Sequence, residues 1–136
     1  IPAILFLIGV VVSFATGSSW GVWALGMPIA LPMANAMGIP LTLAIGAVVS
    51  GGLFGDHCSP ISDTTIQSST SACCDHLQHV KTQLPYALTV GISSLIGFLF
   101  AGLVAPVLAL PVTLVCIIAA LLVMKNISRK RAAVAA

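Results

Sequence analysis

Charge is what this sequence has least of. Five basic and three acidic residues are spread over 136 positions, so that 6% of the chain is charged while 59% is hydrophobic. A soluble domain carries roughly a quarter charged residues to keep its surface wet. With a mean hydropathy of +1.16, lipid has to solvate most of this chain. Also missing is the strict polar–apolar alternation of a membrane barrel strand, because the apolar runs are apolar on all faces. Hydrocarbon leaves every backbone N–H and C=O to be paired within the protein, so only helices or closed barrels span it. An all-α polytopic membrane protein is therefore expected.

Other absences narrow the reading. No extended basic face exists, which excludes a nucleic-acid partner. The cysteines, Cys58, Cys73, Cys74 and Cys116, do not make the disulfide framework of a small secreted domain. Cys116 lies in an apolar run and reads as a small hydrophobe. No initiator Met and no basic region precede the opening run Ile1-Pro2-Ala3-Ile4-Leu5. A signal peptide is therefore not expected, and the chain reads as a piece of a longer protein whose N-terminal helices lie outside it.

About five apolar segments stand out by hydropathy. They are Ile1–Ala15, Val22–Met37, Leu41–Phe54, Leu84–Val104 and Val112–Met124. The polar, glycine-rich run Thr16–Gly21 interrupts the first two. Gly38-Ile39-Pro40 reads as a turn, and so does Ala105–Pro111 with its two prolines. Pro28 and Pro32 read as a kink in the second segment. Leu41–Phe54 is short enough to cross fully or to re-enter from one side, and both readings stand. Residues 1–124 are expected to form the membrane domain and residues 125–136 a basic tail. Lys125, Arg129, Lys130 and Arg131 directly follow the last apolar run, which marks a cytoplasmic end under the positive-inside rule. The fourth segment then starts on that same side, where Lys81 sits.

The polar stretch Asp56–Gln83 carries the chemistry. Within it, Thr64–Ala72 is too short to span, since nine residues of helix rise roughly 13 Å. If its end is cytoplasmic, Asp56–Asp63 falls near mid-depth as non-helical backbone. Such backbone is tolerated there only where it is buried in protein or lines an aqueous cavity. Thr16–Gly21 repeats the pattern more weakly, and two interrupted helices meeting at depth point to a transport site.

A charged side chain at the bilayer centre costs roughly 2.5–3.5 kcal/mol on insertion scales. Asp56 and Asp63 have no basic partner in their own stretch, so packing does not explain them. A hard cation wants oxygen ligands, and the carboxylates of Asp56 and Asp63, the hydroxyls of Ser59, Ser62 and Thr64, and freed carbonyls supply them. Thr16, Ser18 and Ser19 add hydroxyls from the other interruption. Burial disfavours a charged carboxylate and a bound cation favours it, so proton and cation would compete for one group. Bland readings exist for each. Asp63 or Ser62 caps the short helix, and small residues let membrane helices pack closely. Trp20 and Trp23 could be interfacial anchors. His57 reads either as a proton-relaying group or as a hydrogen-bonded partner of Asp56.

Cys73, Cys74, Asp75, His76 and His79 suggest a metal cluster at first sight. Adjacent cysteines point apart, however, and a partly hydrogen-bonded cytoplasmic linker is the better reading. Asp56, His57 and Ser59 lack a nucleophile-elbow pattern, so no metal, catalytic residue or cofactor is assigned. A simple membrane anchor would need no polar residues at depth.

The run Gly55-Asp56-His57-Cys58-Ser59-Pro60-Ile61-Ser62-Asp63-Thr64-Thr65-Ile66, followed by Cys74-Asp75-His76, His79-Val80 and Thr82-Gln83-Leu84-Pro85-Tyr86-Ala87, resembles the NhaC-type Na⁺/H⁺ antiporter family of the ion transporter superfamily. Phe14–Gly21 with Pro28-Ile29-Ala30 resembles another stretch of it. The likeness covers roughly residues 9 to 104. It implies paired broken helices or hairpins and a secondary antiporter, not an enzyme, in a bacterial cytoplasmic membrane. It also implies Na⁺ or Li⁺ exchanged for H⁺, with Na⁺ and H⁺ as transported ions and no other cofactor. Relatives that exchange malate for lactate, or carry other organic ions, make an Na⁺/H⁺-coupled exchanger of an organic or amino acid the alternative. The expected partners are these ions, the lipid bilayer, the missing N-terminal helices and a second copy in a homodimer.

Overall fold

The structure is a computed structural model that describes residues 1–134, with side chains described for residues 1–126. Arg129, Lys130 and Arg131 of the expected basic tail therefore lie outside the described side chains. Among the described residues the chain is helical throughout, without strands. The order is α1 (Pro2–Thr16), α2 (Ser19–Ala36), α3 (Leu41–Cys58), α4 (Asp63–Ser71), α5 (His76–Leu103), a 3₁₀ turn (Pro106–Leu108) and α6 (Ala109–Val134).

Lengths follow from physical chemistry already visible in the residues. The 18 residues of α3 rise about 27 Å, close to the thickness of a hydrocarbon core of about 30 Å and within the length range of spanning helices, which favours crossing over re-entry. The 28 residues of α5 exceed that thickness. Its first turns carry His76, Gln78, His79, Lys81 and Gln83 ahead of the apolar run. The Asp75 carboxylate caps it by accepting from the Gln78 N–H at 2.8 Å, as an N-cap should. α3, α5 and the stretch Pro106–Asn126 are each long and apolar enough to span. In α6 Pro111 sits in the first turn, where its missing N–H has no intrahelical partner to lose.

Three elements run differently from expectation, among them α6, which starts at Ala109 within the expected turn and runs past Met124 to Val134. α3 does not stop at Phe54 but continues through Gly55, Asp56 and His57 to Cys58. α5 begins at His76, eight positions before Leu84, the expected start of the apolar segment. The shifts of α3 and α5 move the break outward. The His57 carbonyl accepts from Gln83 Nε2 at 3.0 Å, so the break lies level with the start of the apolar run of α5, rather than at its middle.

The core is built on α1 against α3. Gly51 meets the Phe6 carbonyl and Gly55 meets the Val10 carbonyl, so closely that a Cβ at either would strike backbone. Gly9 in turn rests on the backbone of Gly51 and Gly52. Gly51 and Gly55 are four apart and share one helical face, which is how membrane helices bring backbones together. The paired numbers rise together, so α1 and α3 run parallel. α2 runs back along α3, with Gly26 against Val48 and the Trp23 indole against Gly52. α5 is also antiparallel to α3, with Gly91 against Phe54, and Phe98 packs on Phe6 with ring centroids 5.4 Å apart. Among the described residues α6 docks mainly on α5, where Gly97 meets Thr113. Leu114, Val115, Ile118, Leu122 and Val123 of α6 remain exposed.

Overpacking this seam should be costly. Gly51→Leu or Gly55→Leu is expected to destabilise the full-length protein by about 1–3 kcal/mol. A lowered melting temperature in detergent reads this out. Gly46→Ala, whose Cβ meets nothing within 4 Å, should melt like the parent; equal melting of all three variants would contradict the packing.

Candidate functional site

Parallel α1 and α3 deliver their C-terminal ends to the same place. Both expected interruptions are there, narrower than the residue pattern suggested. α1 ends at Gly17 in the left-handed region at φ 68, and α2 restarts at Ser19 after the extended Ser18. α3 ends at Cys58, and α4 restarts at Asp63 with Ser62 as its cap position. The two turns touch. A Cβ at Gly17 would lie 2.7 Å from the Ile61 carbonyl oxygen, so only glycine fits both the space and the conformation. Ser59 Oγ donates to the Phe14 carbonyl at 2.9 Å. Nearby, Ser13 Oγ donates to the Gly52 carbonyl at 2.6 Å.

Asp56 is at the centre. Its side chain is 2% exposed, on the last turn of α3. Ser62 Oγ donates to Oδ1 at 2.7 Å and Thr64 Oγ1 donates to Oδ2 at 2.9 Å. The two hydroxyl oxygens lie 2.8 Å apart. Ser62 is fully buried, whereas Thr64 faces outward. The break is what makes this possible, because only a chain that leaves the helix at Ser59 and restarts at Asp63 can turn Ser62 and Thr64 back onto Asp56.

Of the expected site residues, Asp56, Ser62 and Thr64 are brought into one cluster, and Ser59 braces it from the neighbouring turn. His57 is not bonded to Asp56. The two are consecutive on a helix and point apart, and His57 Nδ1 pairs with the Leu53 carbonyl at 3.0 Å. Its ring lies exposed beside a groove of about 510 Å³ between α3 and α5, which Leu53, Gln83, Tyr86 and Val90 also line. Asp63 is exposed at the first position of α4, set apart from the Asp56 cluster. Thr16 Oγ1 bonds back to the Val12 carbonyl at 2.9 Å, a local use of the hydroxyl. Ser18 is partly buried in the first turn and Ser19 is buried at the start of α2. Trp23 is no free anchor: its Nε1–H donates to the Val49 carbonyl at 3.4 Å. Trp20 is exposed.

Residue pattern alone missed His76. Its Nε2 lies 2.7 Å from the Pro60 carbonyl and its Nδ1 lies 3.0 Å from Ser69 Oγ. The residue pattern places His76 in a linker and in the family-like run Cys74-Asp75-His76, neither of which names its partners. Among the described residues no group of metal-ligating side chains forms.

Comparison with known proteins follows the same residues. A family model described as the Na⁺/H⁺ antiporter family matches residues 1–103. An uncharacterized protein of Haemophilus influenzae is 50% identical over 103 residues, covering 75% of this chain and 20% of that protein. The malate-2H⁺/Na⁺-lactate antiporter of Bacillus subtilis is 36% identical over 97 residues, 68% of this chain and 21% of that protein. The Na⁺/H⁺ antiporter NhaC of Alkalihalophilus pseudofirmus is 36% identical over 97 residues, 71% of this chain and 21% of that protein. The chain thus spans about a fifth of the length of these relatives. No solved structure matches it.

The contact between the two turns is testable by itself. Gly17→Val should separate them and speed maleimide labelling of Cys58, which is 7% exposed, by about tenfold or more. This follows from a left-handed penalty of about 1–2 kcal/mol added to the clash. Full-length protein in membranes, with its other cysteines changed to serine, is the sample. Unchanged labelling would show that the turns do not depend on each other.

Proposed function

The chain belongs to the Na⁺/H⁺ antiporter family, and we propose that it forms the ion-binding part of a transporter that exchanges Na⁺ or Li⁺ for H⁺ across a bacterial cytoplasmic membrane. The observation that carries this reading is the oxygen cluster at Asp56. Three short oxygen–oxygen contacts close a ring through Asp56, Ser62 and Thr64, but two hydroxyls bring two protons. A proton on Asp56 supplies the third and closes the ring, with each oxygen pair sharing one hydrogen. With that proton gone, four oxygens face one another with net negative charge, which is the donor set a hard cation takes. Proton and cation therefore satisfy the same oxygens and exclude each other, the requirement for exchange at one site.

Asp56 is the group loaded alternately. Ser62 and Thr64 follow it as switchable donors, and Ser59 holds the turn in place. Asp63, exposed at the start of α4, acts as a second carboxylate on the approach, and His57 borders the groove beside it. Thr16, Ser18 and Ser19 shape the facing turn. No metal beyond the transported cation, no other cofactor and no enzymatic step is needed. Residues 1–124 form the membrane domain and residues 125–136 the cytoplasmic tail. The further length that the relatives have would complete the bundle, and a homodimer is a further expected arrangement. Alternating access comes from one bundle moving against another around the site.

A second reading is favoured by the relative named for malate and lactate. There the cation at Asp56 is the coupling ion, and an organic acid is the cargo. Labelled malate or lactate counterflow separates the two readings.

The test is relaxation of a pH gradient in everted vesicles carrying the full-length protein. Na⁺ or Li⁺ should alkalinise the lumen rapidly. Asp56→Asn should abolish the response at parental protein levels, and Thr64→Val should raise the Na⁺ concentration for half-maximal response about tenfold, the value of one hydrogen bond to a charged group. An unaltered response in Asp56→Asn would remove Asp56 from the mechanism.

A further inference from the structure

The turn Ser59–Ser62 is pinned at every residue. Ser59 donates to Phe14, Ile61 lies against Gly17, and Ser62 donates to Asp56. The remaining residue, Pro60, has no N–H to donate, and its carbonyl belongs to neither helix. Pro60 itself is exposed, yet its carbonyl takes a protein partner. His76 supplies the partner at 2.7 Å from 16 residues downstream.

A carbonyl only accepts, so His76 Nε2 must carry the hydrogen. At the other side of the ring, Ser69 Oγ lies 3.0 Å from Nδ1 and 2.9 Å from the Ile66 carbonyl. Ser69 is 2% exposed, so this end of the imidazole is anchored in the protein. Whether Ser69 gives its hydrogen to Nδ1 or to Ile66, the Nε2–H bond to Pro60 persists. His76 is also the first residue of α5. One imidazole thus fastens α5 and α4 to the turn that bears Ser62.

We propose that His76 is a positioning residue for the ion site. Its Nε2–H holds the Pro60 carbonyl and so keeps Ser62 and Thr64 directed at Asp56. The inference rests on the reading of Asp56 as the ion-binding carboxylate. His76 itself touches neither the carboxylate nor the ion, so its loss changes how well the oxygens are gathered, not how fast a loaded site turns over.

Two variants isolate the bond. His76→Gln keeps an amide N–H near the position of Nε2, whereas His76→Asn keeps one near Nδ1 and loses the reach to Pro60. In the full-length transporter, initial rates of Na⁺-driven lumen alkalinisation are measured across Na⁺ concentrations. His76→Asn and His76→Ala should raise KM for Na⁺ about tenfold with maximal rates within about twofold of the parent. His76→Gln should stay within about threefold in KM. The same three variants are read by maleimide labelling of Cys58, a readout that requires no choice of ion. Asn and Ala should speed it, and Gln should not. Parental KM and labelling in all variants, or an equal fall in maximal rate in all three with KM unchanged, overturns the positioning role. Asp56→Asn runs alongside. If it is inactive while the His76 variants are normal, only His76 is misassigned; if it exchanges normally, the ion-site reading falls and His76 with it.

Discussion

A carboxylate at 2% exposure in a chain this apolar must find its hydrogen-bond partners within the protein, and nearly every unusual feature of the fold follows from providing them. Continuous helix cannot do it, since its own backbone donors are already paired. The chain leaves α3 at Ser59, turns, and restarts at Asp63, which brings two hydroxyls onto Asp56. That turn creates new demands. The Pro60 carbonyl needs a donor and finds His76. The backbone of Ile61 needs room and finds Gly17. The Ser59 hydroxyl reaches the Phe14 carbonyl at the end of α1.

Glycine seams make those meetings possible. Gly51 and Gly55 let α1 lie against α3 at backbone contact, and a parallel pair so aligned ends both helices at the same level. With larger residues at the seam, Gly17 and Ile61 would be held apart, and Ser59 could not reach α1. The rigidity of the site therefore originates roughly one to two turns before Ser59, in residues with no side chain. α6, by contrast, packs among the described residues mainly on α5 and leaves much of its apolar surface exposed, so it contributes little to holding the turns.

Much of this was legible in the residues, for reasons that can be stated. A short polar helix between Asp56 and Gln83 was readable because nine residues cannot span, and α4 is nine residues long. That two interruptions would meet was readable from the polar runs Thr16–Gly21 and Asp56–Asp63, though their depth was not. Boundaries were less readable. Gly55 looks like a helix breaker, yet in a membrane protein it is a packing residue and α3 passes through it. The polar residues from His76 to Gln83 look like a linker, yet Asp75 caps them into α5. Partner choice was not readable at all. Local sequence separates Asp56 from Asp63 only by the capping role open to Asp63; that Asp56 is ringed by hydroxyls while Asp63 is exposed is decided by where the turn points. His57 and His76 illustrate the same limit: the histidine beside Asp56 in sequence bonds elsewhere, and the one 16 positions beyond Pro60 holds the site.

The central claim is that one buried carboxylate exchanges a proton for a cation. The most direct measurement is proton release from purified full-length protein in weakly buffered detergent when Na⁺ is added, followed with a pH indicator alongside bound ²²Na⁺. The account predicts that saturable Na⁺ binding is accompanied by saturable proton release, and that Asp56→Asn abolishes both. Na⁺ binding without proton release, or proton release that survives Asp56→Asn, would contradict it.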